Sequence, residues 1–206
     1  MGCGTGVGCR EDWVCPDCRQ ALAKSWVGAY YPPKALDGAA YAYIYKGASA
    51  GIVQRLKYTG VKQLAGFMGQ DMARAYGFIE PTGADCVTAV PMHPKRLKQR
   101  GFNHAELLAR DVAARLNLPY VEGLDRVRNT VQQARLNDEA RRHNLKDAFV
   151  PREAVRGRIV ILVDDVCTTG ATAQTCARAL KQGGARRVYL LCYTVAQPNR
   201  VSGMRR

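Results

Sequence analysis

Ile159-Val160-Ile161-Leu162-Val163-Asp164-Asp165-Val166-Cys167-Thr168-Thr169-Gly170-Ala171-Thr172 is the stretch from which the rest of this 206-residue chain is read. Five consecutive apolar, mostly β-branched residues predict a strand buried on both faces of a parallel sheet. Two carboxylates follow where that strand should emerge, and then a short Thr/Gly turn. Beyond it Ala173, Cys176, Ala177 and Leu180 stand at i, i+3, i+4 and i+7, the spacing of a helix's buried face. This order suits a phosphorylated sugar. Backbone N–H groups of the turn and the helix N-terminus favour a phosphate dianion, and the Thr hydroxyls add donors. Ionised Asp164 and Asp165 are acceptors only, which matches vicinal ribose hydroxyls. An Asx-type turn closing a buried strand also favours Asp, Thr and Gly, but it does not require the whole ordered set.

The segment resembles the phosphoribosyl-pyrophosphate (PRPP) motif of type I phosphoribosyltransferases: an apolar strand, two acidic residues, then Thr-Thr-Gly-x-Thr. The resemblance implies a 5′-phosphate cradle over Val166, Cys167, Thr168, Thr169, Gly170, Ala171 and Thr172. Asp164 and Asp165 are expected at the ribose, in both binding and catalytic roles. Mg²⁺ is expected with PRPP, held mainly through ligand oxygens and water.

Charge and cysteine content bound the remaining classes. With 31 basic and 17 acidic residues the chain carries +14, an excess that favours polyanions without saying which. No apolar run approaches the length of a membrane span. The N-terminus lacks an apolar signal segment, so a cytoplasmic protein without membrane insertion is expected. In that compartment the eight cysteines are thiols or metal ligands rather than disulfides. Cys3, Cys9, Cys15 and Cys18 cluster near the start, with Cys15-Pro16-Asp17-Cys18 forming a CxxC knuckle. Four thiolates so close suit a structural Zn²⁺ that would order a segment too small to fold alone. The Cys3–Cys9 spacing departs from the usual paired form, which leaves the ligand set open.

Along the chain, Tyr41–Tyr45 reads as a strand. Ser49 is placed to cap a short helix carrying Ile52, Val53 and Leu56. A second helix after Gly60 carries Leu64, Phe67, Met68 and Met72. Lys57 and Tyr58, between them, read as ordinary surface, with a ligand-facing role left open. Cys86–Pro91 predicts a strand running into a Pro/Gly-bounded basic loop that contains Met92, His93, Lys95, Arg96, Lys98 and Arg100. Open α/β sheets bind ligands at strand carboxyl ends, so this loop is placed for anions. Asn103 with Glu106 forms a capping-box-like start to a helix striped by Ala105, Leu108, Ala109, Val112 and Ala113. Arg126–Arg142 is polar and basic, either a closing loop or a solvated one. Cys167 lies where a helix N-terminus could lower its pKa, with simple space-filling as the alternative. Cys86, Cys176 and Cys192 read as packing residues.

Val90-Pro91-Met92-His93-Pro94-Lys95-Arg96, then Arg100-Gly101-Phe102-Asn103 and Ala105-Glu106-Leu107-Leu108-Ala109-Arg110, resembles the signature of the ComF family. So does the spaced set Arg128, Thr130, Gln133, Leu136, Arg141, Asn144 and Phe149. The resemblance implies an α/β protein of type I phosphoribosyltransferase-like fold, a mostly parallel sheet flanked by helices. It also implies a Cys-rich zinc module over 1–25, a main domain over 38–196 and a tail over 197–206. It places Met92, His93, Lys95 and Arg96 toward pyrophosphate, with Arg128 and Arg135 closing over it. Natural competence and DNA uptake are implied too. Three functions are left open: phosphoribosyl transfer to a nitrogen nucleophile, binding of single-stranded DNA beside competence-machinery partners, and regulation of nucleotide metabolism on the same fold. A homodimer is also left open.

Overall fold

Ile159 to Val163 are each 2% exposed or less, as an apolar run sandwiched between two layers must be. Burying one such aliphatic side chain contributes about 1.5–3 kcal/mol, which fixes this strand at the centre of whatever forms around it. A computed structural model describes residues 13–79, 83–127 and 148–196. In chain order the elements are α1 (Pro16–Ala23), β1 (Trp26–Tyr30), β2 (Gly38–Ile44), α2 (Gly47–Tyr58), α3 (Leu64–Tyr76) and β3 (Cys86–Ala89). Then come α4 (Pro94–Arg100), α5 (His104–Arg115), β4 (Leu124–Arg126), β5 (Phe149–Pro151), β6 (Ile159–Cys167), α6 (Ala171–Gln182) and β7 (Arg187–Val195).

The main sheet runs β1-β2-β7-β6-β3. Only β1 is antiparallel to its neighbour; β2, β7, β6 and β3 are parallel. Helices α3 and α5 pack on the strands of this sheet and on each other, while α6 packs on β6, β7 and the β4–β5 pair. Asp85 locks the register beside the central strand, its Oδ2 accepting from the Ile159 N–H at 2.7 Å. Helices α3 and α5 approach closely at Gly69, where a Cβ would fall 2.0 Å from Asp111 Oδ2. A side chain at that crossing would meet the Asp111 carboxylate in the second half of α5.

Several elements differ from their sequence reading. Strand β6 does not end before the carboxylates: Asp164 pairs with Cys192, and Cys167 with Val195, in the ladder to β7. The basic stretch after β3 is a helix, not a loop. His93 caps it by accepting from the Lys95 N–H, Pro94 opens it, and Gly101 closes it at φ 78°. Ser49 is not the N-cap of α2; that position is Lys46, and the Ser49 hydroxyl accepts from the Lys46 N–H at 3.2 Å. Asn103 does cap α5 through the Ala105 N–H. Glu106 turns to Arg110 instead of completing a capping box. The sheet begins at Trp26, upstream of the expected start at residue 38.

Residues 1–12, 128–147 and 197–206 lie outside the described residues. So do Cys3, Cys9, Arg128, Arg135, most of the Arg126–Arg142 segment and the expected tail. Among the described residues no helix is long and apolar enough to cross a membrane.

Candidate functional site

Alternation along β6 decides how the acidic pair works. Successive side chains of a strand point to opposite faces, so Asp164 and Asp165 leave the backbone in opposite directions. Their direct contacts differ, although the Lys57 charge acts on both. Asp165, 6% exposed, ion-pairs with Lys57 at the end of α2, Nζ to Oδ1 2.9 Å. The same carboxylate acts on His104, the first residue of α5, whose ring also hydrogen-bonds the Lys57 main chain. His104 is 2% exposed and its Nε2 has no partner among the described residues. Burial, with the Arg100 and Lys57 charges behind it, holds the imidazole below its usual pKa against the pull of Asp165.

Asp164 is influenced from the other side by Arg126 of β4. Its Oδ1 accepts the Asp165 N–H at 2.9 Å. Dense packing first, and then the Asp165 charge, push its carboxyl up from 3.8 to about 7, with Lys57, the Asp165 amide and Arg126 opposing. Arg126 is held below the usual guanidinium range by burial and then by the nearby Arg96 charge. Two like charges held close together favour an anion. His93 joins them: slight desolvation and the charges of Arg126, Lys95 and Arg96 hold it below its ordinary value.

The Thr/Gly turn follows directly. Thr168 and Thr169 are exposed and Gly170 is buried. Gly170 has φ 75°, and a Cβ there would lie 2.7 Å from Pro33, so the turn requires glycine on both counts. The Ala171 N–H meets Thr169 Oγ1 at 3.4 Å, while the next first-turn amides of α6 have no intrahelical acceptor by helix geometry. Asp164, Val166, Cys167, Thr168, Gly170, Ala171 and Thr172 line one hollow of about 20 Å³ with Ala173 and Cys192.

Three sequence readings meet the structure here. The Cys167 thiol is not activated by the helix start: burial pushes it up to about 11, and the Tyr41 hydroxyl stands 3.8 Å from its sulfur. Met92 lines a separate cleft of about 120 Å³ with Pro91, Tyr120, Glu122 and Asp125, which includes neither the acidic pair nor the phosphate turn. Lys57 is no ordinary surface residue. Arg96 and His93 do gather with Arg126 on the Asp164 side, and Lys95 is exposed on α4 beside them. Arg126, His104 and Lys57 carry no local motif; only a lysine flanking the Leu56 core position marked Lys57 at all. Cys15 caps α1 and Cys18 lies in its first turn, both half-buried. Cys86, Cys176 and Cys192 are buried packing residues.

A parallel-centred sheet with an acidic pair and a Thr/Gly turn at the carboxyl end of an interior strand defines a class, the type I phosphoribosyltransferase fold. The profile of the phosphoribosyl transferase domain matches residues 102–201. DNA utilization protein YhgH of Escherichia coli O157:H7 is 38% identical over 109 residues, 52% of this chain and 48% of that protein. Competence protein F of Haemophilus influenzae is 34% identical over 108 residues, 50% and 47%. Competence protein ComFC of Bacillus subtilis is 27% identical over 144 residues, 69% and 57%. The chain is thus similar to a phosphoribosyl transferase domain and to proteins named for competence and DNA utilization. The chain spans about half the length of the first of the curated relatives it matches.

Proposed function

We propose that the chain binds PRPP or a related 5-phosphoribosyl ligand with Mg²⁺ across the carboxyl end of β6, and transfers the phosphoribosyl group to a nitrogen nucleophile. One observation carries this reading. The Asp164–Asp165 pair, set among the Lys57 and Arg126 charges, stands immediately before a hydroxyl-bearing turn at a helix start. In this reading Thr168 to Thr172 cradle the 5′-phosphate and the two carboxylates accept from the ribose hydroxyls. Arg96, Arg126, His93 and Lys95 face the pyrophosphate. The nucleophile's lone pair forms the new bond at C1 as the C1–oxygen bond breaks, and that electron pair leaves with pyrophosphate. The nitrogen then loses its proton to water. Positive charge gathers on the ring in the transition state, as in glycoside chemistry, so the cations act by stabilising the leaving group. Bound Mg²⁺, coordinated by ligand oxygens and water, would neutralise part of the pyrophosphate charge.

The binding test is a thermal shift. PRPP with Mg²⁺ should raise the melting temperature, because a ligand of the native state stabilises it by mass action; free ribose should not. A screen of nucleobases and amines for pyrophosphate release then tests transfer. Absence of release from every acceptor, with PRPP bound, would leave a binding protein or a regulator of nucleotide metabolism and refute the transferase.

The N-terminal cysteines carry a second part of the proposal, one structural Zn²⁺ on Cys3, Cys9, Cys15 and Cys18. Two half-buried thiols at the start of α1 fit two of the four ligands such a site takes.

A second reading, single-stranded DNA binding, rests on a different surface. Tyr58 is 71% exposed, with the Arg100 guanidinium 5.2 Å over its ring. Lys62 lies 5.1 Å over Phe102 nearby, and Lys95 and Lys98 are exposed on α4. Aromatic faces interleaved with cations suit stacked bases and a phosphate backbone. Such binding weakens with salt, with a log–log slope of about −0.7 per phosphate contact on single strands. Fluorescence anisotropy across a salt series should show that slope, and Tyr58→Ala should weaken it. No binding even at low salt would discard the reading for this chain alone and favour a competence-machinery partner.

A further inference from the structure

Lys57 has no place in the phosphate turn or the pyrophosphate loop, yet its ammonium lies against the better-buried of the two carboxylates. Its side chain is 22% exposed and that of Asp165 is 9%. An ion pair this far from water is costly to form and strongly destabilising to break from one side. Such a pair asks for a reason beyond stability. The surroundings supply one. Asp164 is bonded to the Asp165 amide at 2.9 Å, so two carboxylates share the strand's end, and the Asp165 charge disfavours ionisation of Asp164.

On the Asp165 side the charged or titratable groups are Lys57 of α2, His104 of α5 and Arg100 of α4. On the Asp164 side they are Arg126 of β4, Cys176 of α6 and Cys192 of β7, with Cys167 following on β6 itself. The Lys57 charge acts on both carboxylates, and its ammonium is in direct contact with Asp165. A carboxylate has about four acceptor positions, so one oxygen held by Lys57 leaves others for a ligand. Two fixtures hold Lys57 itself: the α2 core residues Ile52, Val53 and Leu56 before it, and the His104 ring on its main chain.

We propose that Lys57 is a positioning residue for the sugar: its ammonium holds the Asp165 carboxylate aimed along the end of β6, where the ribose hydroxyls of a 5-phosphoribosyl ligand arrive. The inference rests on the phosphoribosyl reading above and adds a residue that no motif in the chain marks. Lys57 does not touch the reacting atoms. Without its ammonium, the Asp165 carboxylate turns to another donor, and the hydroxyl contacts are lost while the phosphate turn stays intact.

The experiment compares ribose 5-phosphate with 2-deoxyribose 5-phosphate by calorimetry on the full chain. A hydrogen bond to a charged group discriminates by about tenfold or more, so the parent protein should prefer the ribose form by about that factor. Lys57→Gln should bring the ratio close to one while 2-deoxyribose 5-phosphate binds as in the parent. Lys57→Arg should restore the preference. Should Lys57→Gln fold poorly, Lys57→Met, which keeps the unbranched stem without the charge, is read in its place, and it too should lose the preference. A merely structural role would weaken both sugars equally. An unchanged ratio in Lys57→Gln, or equal weakening of both ligands, overturns the Lys57 role while the phosphoribosyl reading stands. A parent protein that binds neither sugar phosphate nor PRPP overturns the phosphoribosyl reading, and the Lys57 role with it.

Discussion

Asp164→Asn should make the protein more stable above neutral pH. Burial and the adjacent Asp165 carboxylate push the Asp164 carboxyl from an ordinary 3.8 to about 7. Its folded value therefore lies above its unfolded value, and the native state holds the proton more tightly between about pH 4 and pH 7. Stability from this group is fully present at the acid end of that window, declines as pH rises through it, and is gone above it. A displacement of this size corresponds to at most about 4 kcal/mol, at about 1.4 kcal/mol per pH step. Asp164 is only half-buried, so solvent screening lowers this to a gain of about 2 kcal/mol. Asparagine keeps the oxygen that accepts the Asp165 N–H and carries no charge. Urea unfolding of parent and variant from pH 4.5 to 8 measures the difference directly. Other groups that titrate there, His93 and His104 among them, contribute to both proteins and largely cancel. The variant's advantage should be small at pH 4.5 and grow toward pH 8. A variant less stable than the parent at pH 8, or a difference that does not change with pH, would refute the reasoning.

Gly170→Ala should cost about 1–3 kcal/mol from the left-handed backbone alone, and more from the approach to Pro33; a lowered urea midpoint and loss of the PRPP thermal shift would both be seen. Cys167, its thiol pushed up to about 11, should resist iodoacetamide at pH 7.5 in the native protein, and rapid labelling read by mass spectrometry would contradict its burial. Elemental analysis of protein purified without chelator should give about one zinc per chain, lost in Cys15→Ser with PRPP binding retained; full occupancy in the Cys15/Cys18 double serine variant would discard the zinc assignment.

What the chain reveals locally it reveals well. The strand from Ile159, the Thr/Gly turn and the stripe of α6 are contiguous, and each follows from periodicity and turn chemistry. The same holds for α5, where Ala105, Leu108, Ala109, Val112 and Ala113 are all buried. Short elements escape that reasoning. Strands β4 and β5 have three residues each, too few to show an alternation, and β1 is interrupted by Gly28 at φ 79°. Helix α4 leaves no residue buried, so no apolar stripe announced it and its proline and basic run suggested a loop. The site is half legible for the same reason. Asp164, Asp165 and the phosphate turn lie side by side in sequence, whereas Lys57, His104 and Arg126 reach them only through the packing of α2, α5 and β4.

The central claim is that the end of β6 holds a 5-phosphoribosyl ligand through its two carboxylates. Calorimetric titration of PRPP with Mg²⁺ into the parent and into Asp164→Asn with Asp165→Asn tests it. Each charged acceptor lost is worth about 1.5–3 kcal/mol. The account predicts saturable binding by the parent, weakened by at least about a hundredfold in the double variant. Equal affinity in the two proteins, or no binding by the parent, would contradict it.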